Sequence, residues 1–140
     1  METQNGITAI IYDKRGSIVH FLVLHRCANW KGWEFVKGKM EQGEDPKDTL
    51  IREIREETGL KKFDIKARLT TKREFTHNEI LHSFDVYLVE ANMNVPIVPD
   101  PNEHDNYLWA NKDRVLDKLH WPDAKDLFVE ALNIIQTAEL

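Results

Sequence analysis

Apolar and polar positions divide the chain into strand-like and helix-like stretches. Residues 7–12, ITAIIY, and 18–24, IVHFLVL, are dense in β-branched and aromatic side chains, and residues 13–17, DKRGS, have turn composition between them. Two such runs at this separation predict a hairpin. Residues 27–39, rich in Trp, Gly and Lys, are expected to form a loop. A helix is predicted over 46–58: Asp45 suits the N-cap, Pro46 the first helical position and Gly59 a left-handed terminus, with Leu50, Ile51 and Ile54 as the apolar stripe. Residues 63–75 and 80–89 read as strands, the second with period-two alternation. A Pro- and Asp-rich loop over 94–106, a short strand over 107–109 and a short helix over 111–119 follow. Pro122 opens a last helix in which Leu127, Phe128, Ala131, Leu132 and Ile135 recur at helical spacing. This order predicts an α+β fold, a mixed sheet sandwiched between helices.

Composition narrows the class. With 140 residues, 41% hydrophobic and 31% charged, the chain suits a single domain with a true core and a solvated surface. No apolar run reaches the roughly 20 residues that span a bilayer, so no membrane role is expected. The polar N-terminus lacks a secretory layout. Cys27 is the single cysteine, which excludes an internal disulfide and suits a reducing compartment. A cytoplasmic location is expected. The net charge of -5 argues against a partner of long nucleic acid, which calls for a basic field. An acidic protein still acts on phosphates when bound cations reverse the local sign.

The chemistry concentrates on the predicted central helix. Glu53, Glu56 and Glu57 share a face at spacings of three and four. They fall in its last turns, where the helix dipole disfavours anions. Two readings fit: a solvated helix with Arg52 and Arg55 pairing the acids, or a site for a hard cation such as Mg²⁺ or Mn²⁺. The surroundings favour the second. Lys37 and Lys39 flank Gly38 just upstream, placed to hold phosphate oxygens beside an anionic metal face.

Residues 38–60, GKMEQGEDPKDTLIREIREETGL, resemble the signature of the Nudix hydrolase family without a mismatch. Gly38, Glu44, Arg52, Glu53, Ile54, Glu56, Glu57, Gly59 and Leu60 fill its fixed places. The resemblance implies the Nudix fold and hydrolysis of a nucleoside diphosphate linked to another moiety. It implies that Glu53, Glu56 and Glu57 bind Mg²⁺ or Mn²⁺ with the Gly38 carbonyl, and that one of these carboxylates handles the attacking water. Arg52 would hold that carboxylate, and Glu44 would be a structural partner. Which glutamate is the base stays open.

Outside the signature the chain is similar to the subgroup that hydrolyses diadenosine tetraphosphate to ATP and AMP. WEFVKG at 33–38 resembles W-x-x-P-K-G, KREFTH at 72–77 resembles K-R-E-L-x-Y, and EHDNYLW at 103–109 resembles E-H-x-x-Y-R-W. Glu103 would add a carboxylate to the metals or the water, and Lys37 and Lys39 would grip terminal phosphates. Val36 replaces the subgroup's proline, and His77 its base-stacking tyrosine; histidine brings a smaller ring and a pH-dependent charge.

Several residues keep two readings. Phe75 and His77 stack a base, or are a core phenylalanine and a surface histidine. Tyr87 is a ligand or part of a buried strand face; Trp33 walls a pocket or packs. Asp100, Asn102 and His104 begin like a calcium loop but lack its glycine and distal glutamate. Rival substrates are nucleoside triphosphates, ADP-ribose and 5′-triphosphate RNA. Phe75 and Thr76 stand where the ADP-ribose subgroup is expected to carry proline. A non-catalytic nucleotide sensor is the alternative of another class. The expected partner is a small nucleotide, and a homodimer is possible.

Overall fold

The computed structural model describes residues 1–138. Among them the elements run β1 (Glu2–Arg15), β2 (Ile18–Arg26), β3 (Gly32–Glu34), β4 (Val36–Lys39), α1 (Pro46–Thr58), β5 (Asp64–Arg68), β6 (Arg73–His77), β7 (Ile80–Glu90), β8 (His104–Ala110), α2 (Lys112–Lys118) and α3 (Pro122–Thr137). One mixed sheet carries the order β3-β2-β1-β7-β5, with β4 also on β1, β6 on β7 and β8 on β2. β1 and β7 run parallel from Glu2↔Ile80 to Tyr12↔Glu90, and the other pairings are antiparallel. The predicted α+β sandwich is what forms.

β1 is buried on both faces, which explains its unbroken apolar run. Ile7, Ala9 and Ile11 join Leu50 and Ile54 of α1 in one core. Ile10 and Tyr12 join Phe128, Leu127 and Val115 of α3 and α2 in the other. The first hairpin turns at Gly16, whose φ of 63° suits the first central place of a type II′ turn. The second turns at Asn78 and Glu79, with φ of 50° and 63°, a type I′ geometry that glutamate adopts at a cost.

α1 starts and stops where the sequence predicts. The Asp48 amide donates to Asp45 Oδ1 at 2.9 Å, and the Asp45 amide donates to Asp48 Oδ2 at 3.2 Å. Gly59, at φ 75°, donates to the Arg55 carbonyl. Beyond it, the Val98 amide donates to the Thr58 carbonyl at 2.8 Å, and Ile97 is buried in the α1-side core. The loop that returns to the site is thereby fastened to the helix end.

Two expectations need correction. The stretch 27–39 holds β3 and β4, strands too short for periodicity to reveal. The stretch 63–75 is two strands, because β5 pairs with residues 87–90 of β7 and β6 with residues 80–84 of the same edge. The chain steps out at residues 70–72 to pass from one to the other.

Candidate active site

The C-terminal half of α1 meets β4 and the start of β8. Glu53 and Glu57 are buried and Glu56 is exposed, so the three carboxylates occupy different environments. Arg52 organises one side. Its Nε and Nη2 donate to Glu44 at 2.7 and 2.9 Å, its Nη1 to Glu53 at 2.8 Å and Glu56 at 3.2 Å, and its Nη2 also to the Lys39 carbonyl at 2.9 Å. Glu44 accepts further bonds from Thr49 Oγ1 and the Glu41 amide. Arg52 above all, then the Glu41 amide, holds the Glu44 carboxyl down to about 2. In this geometry Glu44 is wholly engaged with Arg52, Thr49 and the Glu41 amide.

Gly38 lies directly against Glu53. A Cβ at Gly38 would fall inside the Glu53 carboxyl group, so glycine at this place lets that carboxylate lie against β4. Burial pushes the Glu53 carboxyl up to about 7, against the pull of Arg52.

The other side is built around His104, which the sequence reading did not assign to the site. Its Nδ1 lies 3.0 Å from Glu57 Oε2 and its Nε2 2.9 Å from Glu34 Oε2, with all three residues buried. Burial alone would lower the histidine, but its hydrogen bonds to Glu34 and Glu57 raise it to about 9. Burial raises Glu57, and Glu103 beside it adds to this, although the bond from His104 opposes. Glu34 comes out lowered: burial pushes it up, but His104, Lys37 and Arg26 outweigh that. Ligand atoms of Glu57, Glu103 and His104 lie within 4.8 Å of one another. His104 is nevertheless a poor ligand here, since both ring nitrogens are committed to carboxylates. Glu103 is set by its backbone, whose carbonyl accepts from Cys27 and whose amide donates to Asp100, both in turn or edge contacts.

The remaining expected residues divide between the two faces of the sheet. Ladder partners share a face and neighbours along a strand alternate. Lys37 and Lys39 therefore face the α3 side with Thr8 and Gly6, whereas Gly38 faces α1. This corrects the expected placement of both lysines beside the metal helix. Lys37 Nζ lies 3.4 Å from Glu34 Oε1 and 5.9 Å from the Trp30 ring centre. Burial lowers its pKa, Glu34 partly restoring it. Phe75 lies flat on His82 at 4.8 Å and 10°, with the Arg73 guanidinium 5.4 Å from its ring. His82 is lowered by burial, then by Lys39, His77 and Lys37. His77 ends the row, exposed.

Trp33 is half-buried over a cavity of only about 10 Å³, shared with Thr8, Glu34, Lys37, Arg73 and Trp121. That is room for one water and not for a base. The rim of this cavity carries Trp121, with Trp30 edge-on to it and stacked on His120 at 4.8 Å. Tyr87 does not reach this surface. It is buried in the α1-side core, which removes it from the expected ligand set.

The donor set fits a divalent cation. Two buried carboxylates whose pKa values are pushed up, with Glu103 and exposed Glu56 adjacent, form an anionic oxygen cluster that a hard cation relieves. Such a cluster, with the lysines on the opposite side of β4, suits metal-assisted attack on phosphate anhydrides.

Comparison with known proteins places this class. A NUDIX domain model matches residues 2–131. The chain belongs to the NUDIX family. Its structure is similar to that of a C. elegans Ap4A hydrolase binary complex, with a TM-score of 0.86 at 20% identity, covering 96% of this chain and 98% of that one. It is 29% identical over 119 residues to the mRNA decapping complex subunit 2 of Schizosaccharomyces pombe, covering 81% of this chain and 14% of that protein. It is 34% identical over 61 residues to an RNA pyrophosphohydrolase of a Sulfurovum species, covering 44% of this chain and 39% of that protein. The chain spans less than half the length of these curated relatives. No helix among the described residues is long and apolar enough to cross a membrane.

Proposed function

We propose that the chain is a pyrophosphohydrolase of nucleoside polyphosphates, dependent on Mg²⁺ or Mn²⁺, with diadenosine tetraphosphate as leading substrate and ATP and AMP as products. The observation that carries this reading is the assembly of Glu57 and Glu103 within ligand distance of each other, with Glu53 lodged against Gly38. Glu53, Glu56, Glu57, Glu103 and the Gly38 carbonyl would hold the metal. A divalent cation there supplies charge neutralisation and a water of lowered pKa. Arg52 fixes Glu53 and Glu56 in orientation. Lys37 and Lys39, across β4, would draw the phosphate chain over the strand edge towards the α3 face. His77 and the Trp30–Trp121 rim are where a base would stack.

Support for the dinucleotide comes from the end-to-end shape match with an Ap4A hydrolase. A second reading, 5′-triphosphate RNA, is supported by relatives named RNA pyrophosphohydrolase. Incubation with Mg²⁺ and a panel of diadenosine tetraphosphate, nucleoside triphosphates, ADP-ribose and triphosphorylated RNA distinguishes them. ATP plus AMP from the first supports the lead, and pyrophosphate from RNA alone favours the second. No turnover of any would leave a nucleotide sensor. Glu57→Gln should lower turnover by orders of magnitude with unchanged circular dichroism, and wild-type rates in that variant would remove the metal assignment.

A further inference from the structure

The lysine face and the carboxylate face of the site lie on opposite sides of β4, yet one continuous polar path joins them. Lys37 Nζ stands 3.4 Å from Glu34 Oε1; Glu34 Oε2 stands 2.9 Å from His104 Nε2; His104 Nδ1 stands 3.0 Å from Glu57 Oε2. Glu34, His104 and Glu57 are each no more than 4% exposed. Arg26 adds a contact to Glu34 Oε2 at 3.3 Å.

We propose that Glu34 and His104 are positioning residues, a buried strut that aims Glu57 at the cation and fixes Lys37 relative to it. This rests on the proposed metal role of Glu57. The imidazole donates to one oxygen of Glu57 and leaves Oε1 free of His104. That is the arrangement in which an outer partner orients a ligating carboxylate. The second donor is anchored by Glu34, whose carboxylate is itself fixed between Arg26 and Lys37. His104 cannot swing while both nitrogens are held. β8 carries it into place because His104 pairs with Arg26 of β2, next to the strand residues that lead into β3. A ring at the start of β8 thus reaches carboxylates on β3 and α1 at once.

A strut differs from packing in what it transmits. Loss of Glu34 touches neither Glu57 nor the metal directly, but it frees the far nitrogen of His104. Glu57 then loses a fixed partner, although no atom near it has changed. Residues of one hydrogen-bonded network show such non-additive coupling.

The test is Mn²⁺ binding to the protein alone, by titration calorimetry, for wild type, His104→Gln, Glu34→Gln and the double variant, with folding followed by circular dichroism. Glutamine in place of Glu34 keeps its shape but removes the charge that holds His104 Nε2, replacing a charge-assisted bond by a weaker neutral one, so this variant covers the case in which His104→Gln does not fold. Each single substitution is expected to weaken Mn²⁺ affinity by about 10-fold or more. The double variant should be no weaker than the weaker single. In turnover assays both singles should lower kcat, and Glu34→Gln should also raise KM, because Lys37 loses its partner.

Several results overturn the strut. One is wild-type affinity in a folded Glu34→Gln protein, another strictly additive losses. Loss in His104→Gln with full affinity in Glu34→Gln would make His104 a ligand instead. If wild-type protein itself binds no Mn²⁺, the metal reading of the site fails before the strut is reached, so the two failures are separable.

Discussion

Gly38→Ala isolates the contact between β4 and α1. The added Cβ would lie inside ordinary contact distance of the Glu53 carboxyl carbon, Oε1 and Cγ. Relief requires that carboxyl to move by about 1.5–2 Å, since carbon contacts are comfortable only near 3.5–4.0 Å and the new carbon would stand 2.0 Å from the carboxyl carbon. The far end of a glutamate is flexible, so the fold should survive. The Glu53 carboxylate, however, is held by Arg52 at 2.8 Å, and Arg52 by Glu44 and the Lys39 carbonyl, so the motion breaks or drags that network. A misplacement of about 1 Å in a catalytic site typically costs on the order of 10²-fold, about 2.7 kcal/mol in the barrier. We expect kcat/KM with Mg²⁺ to fall by about that factor, with the melting temperature of the metal-free protein changed little. Gly38→Ala with wild-type kcat/KM and wild-type Mn²⁺ affinity would refute the reasoning, because Glu53 would then be free to move without consequence.

Four other outcomes are expected. In EDTA, stability should decline as pH rises from about 4.5 through about 7: the Glu53 carboxyl is raised in the fold, so its contribution is complete below its unfolded value and lost on ionisation, worth roughly 3 kcal/mol. Mg²⁺ should reverse the decline at pH 8 and do little at pH 5, as binding needs the ionised acids; thermal melts with equal Mg²⁺ gains at both pH values would contradict this. Arg52→Lys keeps the charge but not the fork that reaches Glu44, Glu53 and Glu56, and should cost about 1.5–3 kcal/mol in denaturant unfolding as well as activity. Glu79→Gly relieves a side chain at φ 63° and should stabilise the β6–β7 hairpin by about 1 kcal/mol, read as a raised melting temperature. His77→Tyr should keep or tighten adenine-nucleotide affinity, and a large loss by calorimetry would remove His77 from the base site.

The parts of the molecule that were legible in the sequence are those set by local chemistry. α1 has its cap, proline, stripe and terminal glycine within fifteen positions, and the structure follows them. The carboxylate cluster was visible because i, i+3 and i, i+4 spacing needs no tertiary knowledge. The Glu34–His104–Glu57 path was not, since its members lie 70 and 47 positions apart and meet only through the register of β8 on β2. Its one sequence signal was His104 beside Glu103, read as part of a resemblance without a role. The sides taken by Lys37 and Lys39 follow from strand alternation, but β4 has four residues and no pattern of its own. Tyr87 shows the converse: its strand and period were evident, but which face held the core was not.

The bond from the Val98 amide to the Thr58 carbonyl makes the approach of Glu103 depend on the integrity of a helix terminus. Pro99 and Pro101 stiffen the segment that follows from that anchor to Glu103. Fraying of the last turn of α1 would therefore release two walls of the cleft together, the one bearing Glu57 and the one bearing Glu103 and His104. The amides of Gly59 and Val98 should exchange with deuterium as one unit, and proteolysis near residue 100 should slow whenever ligand ties those walls to each other.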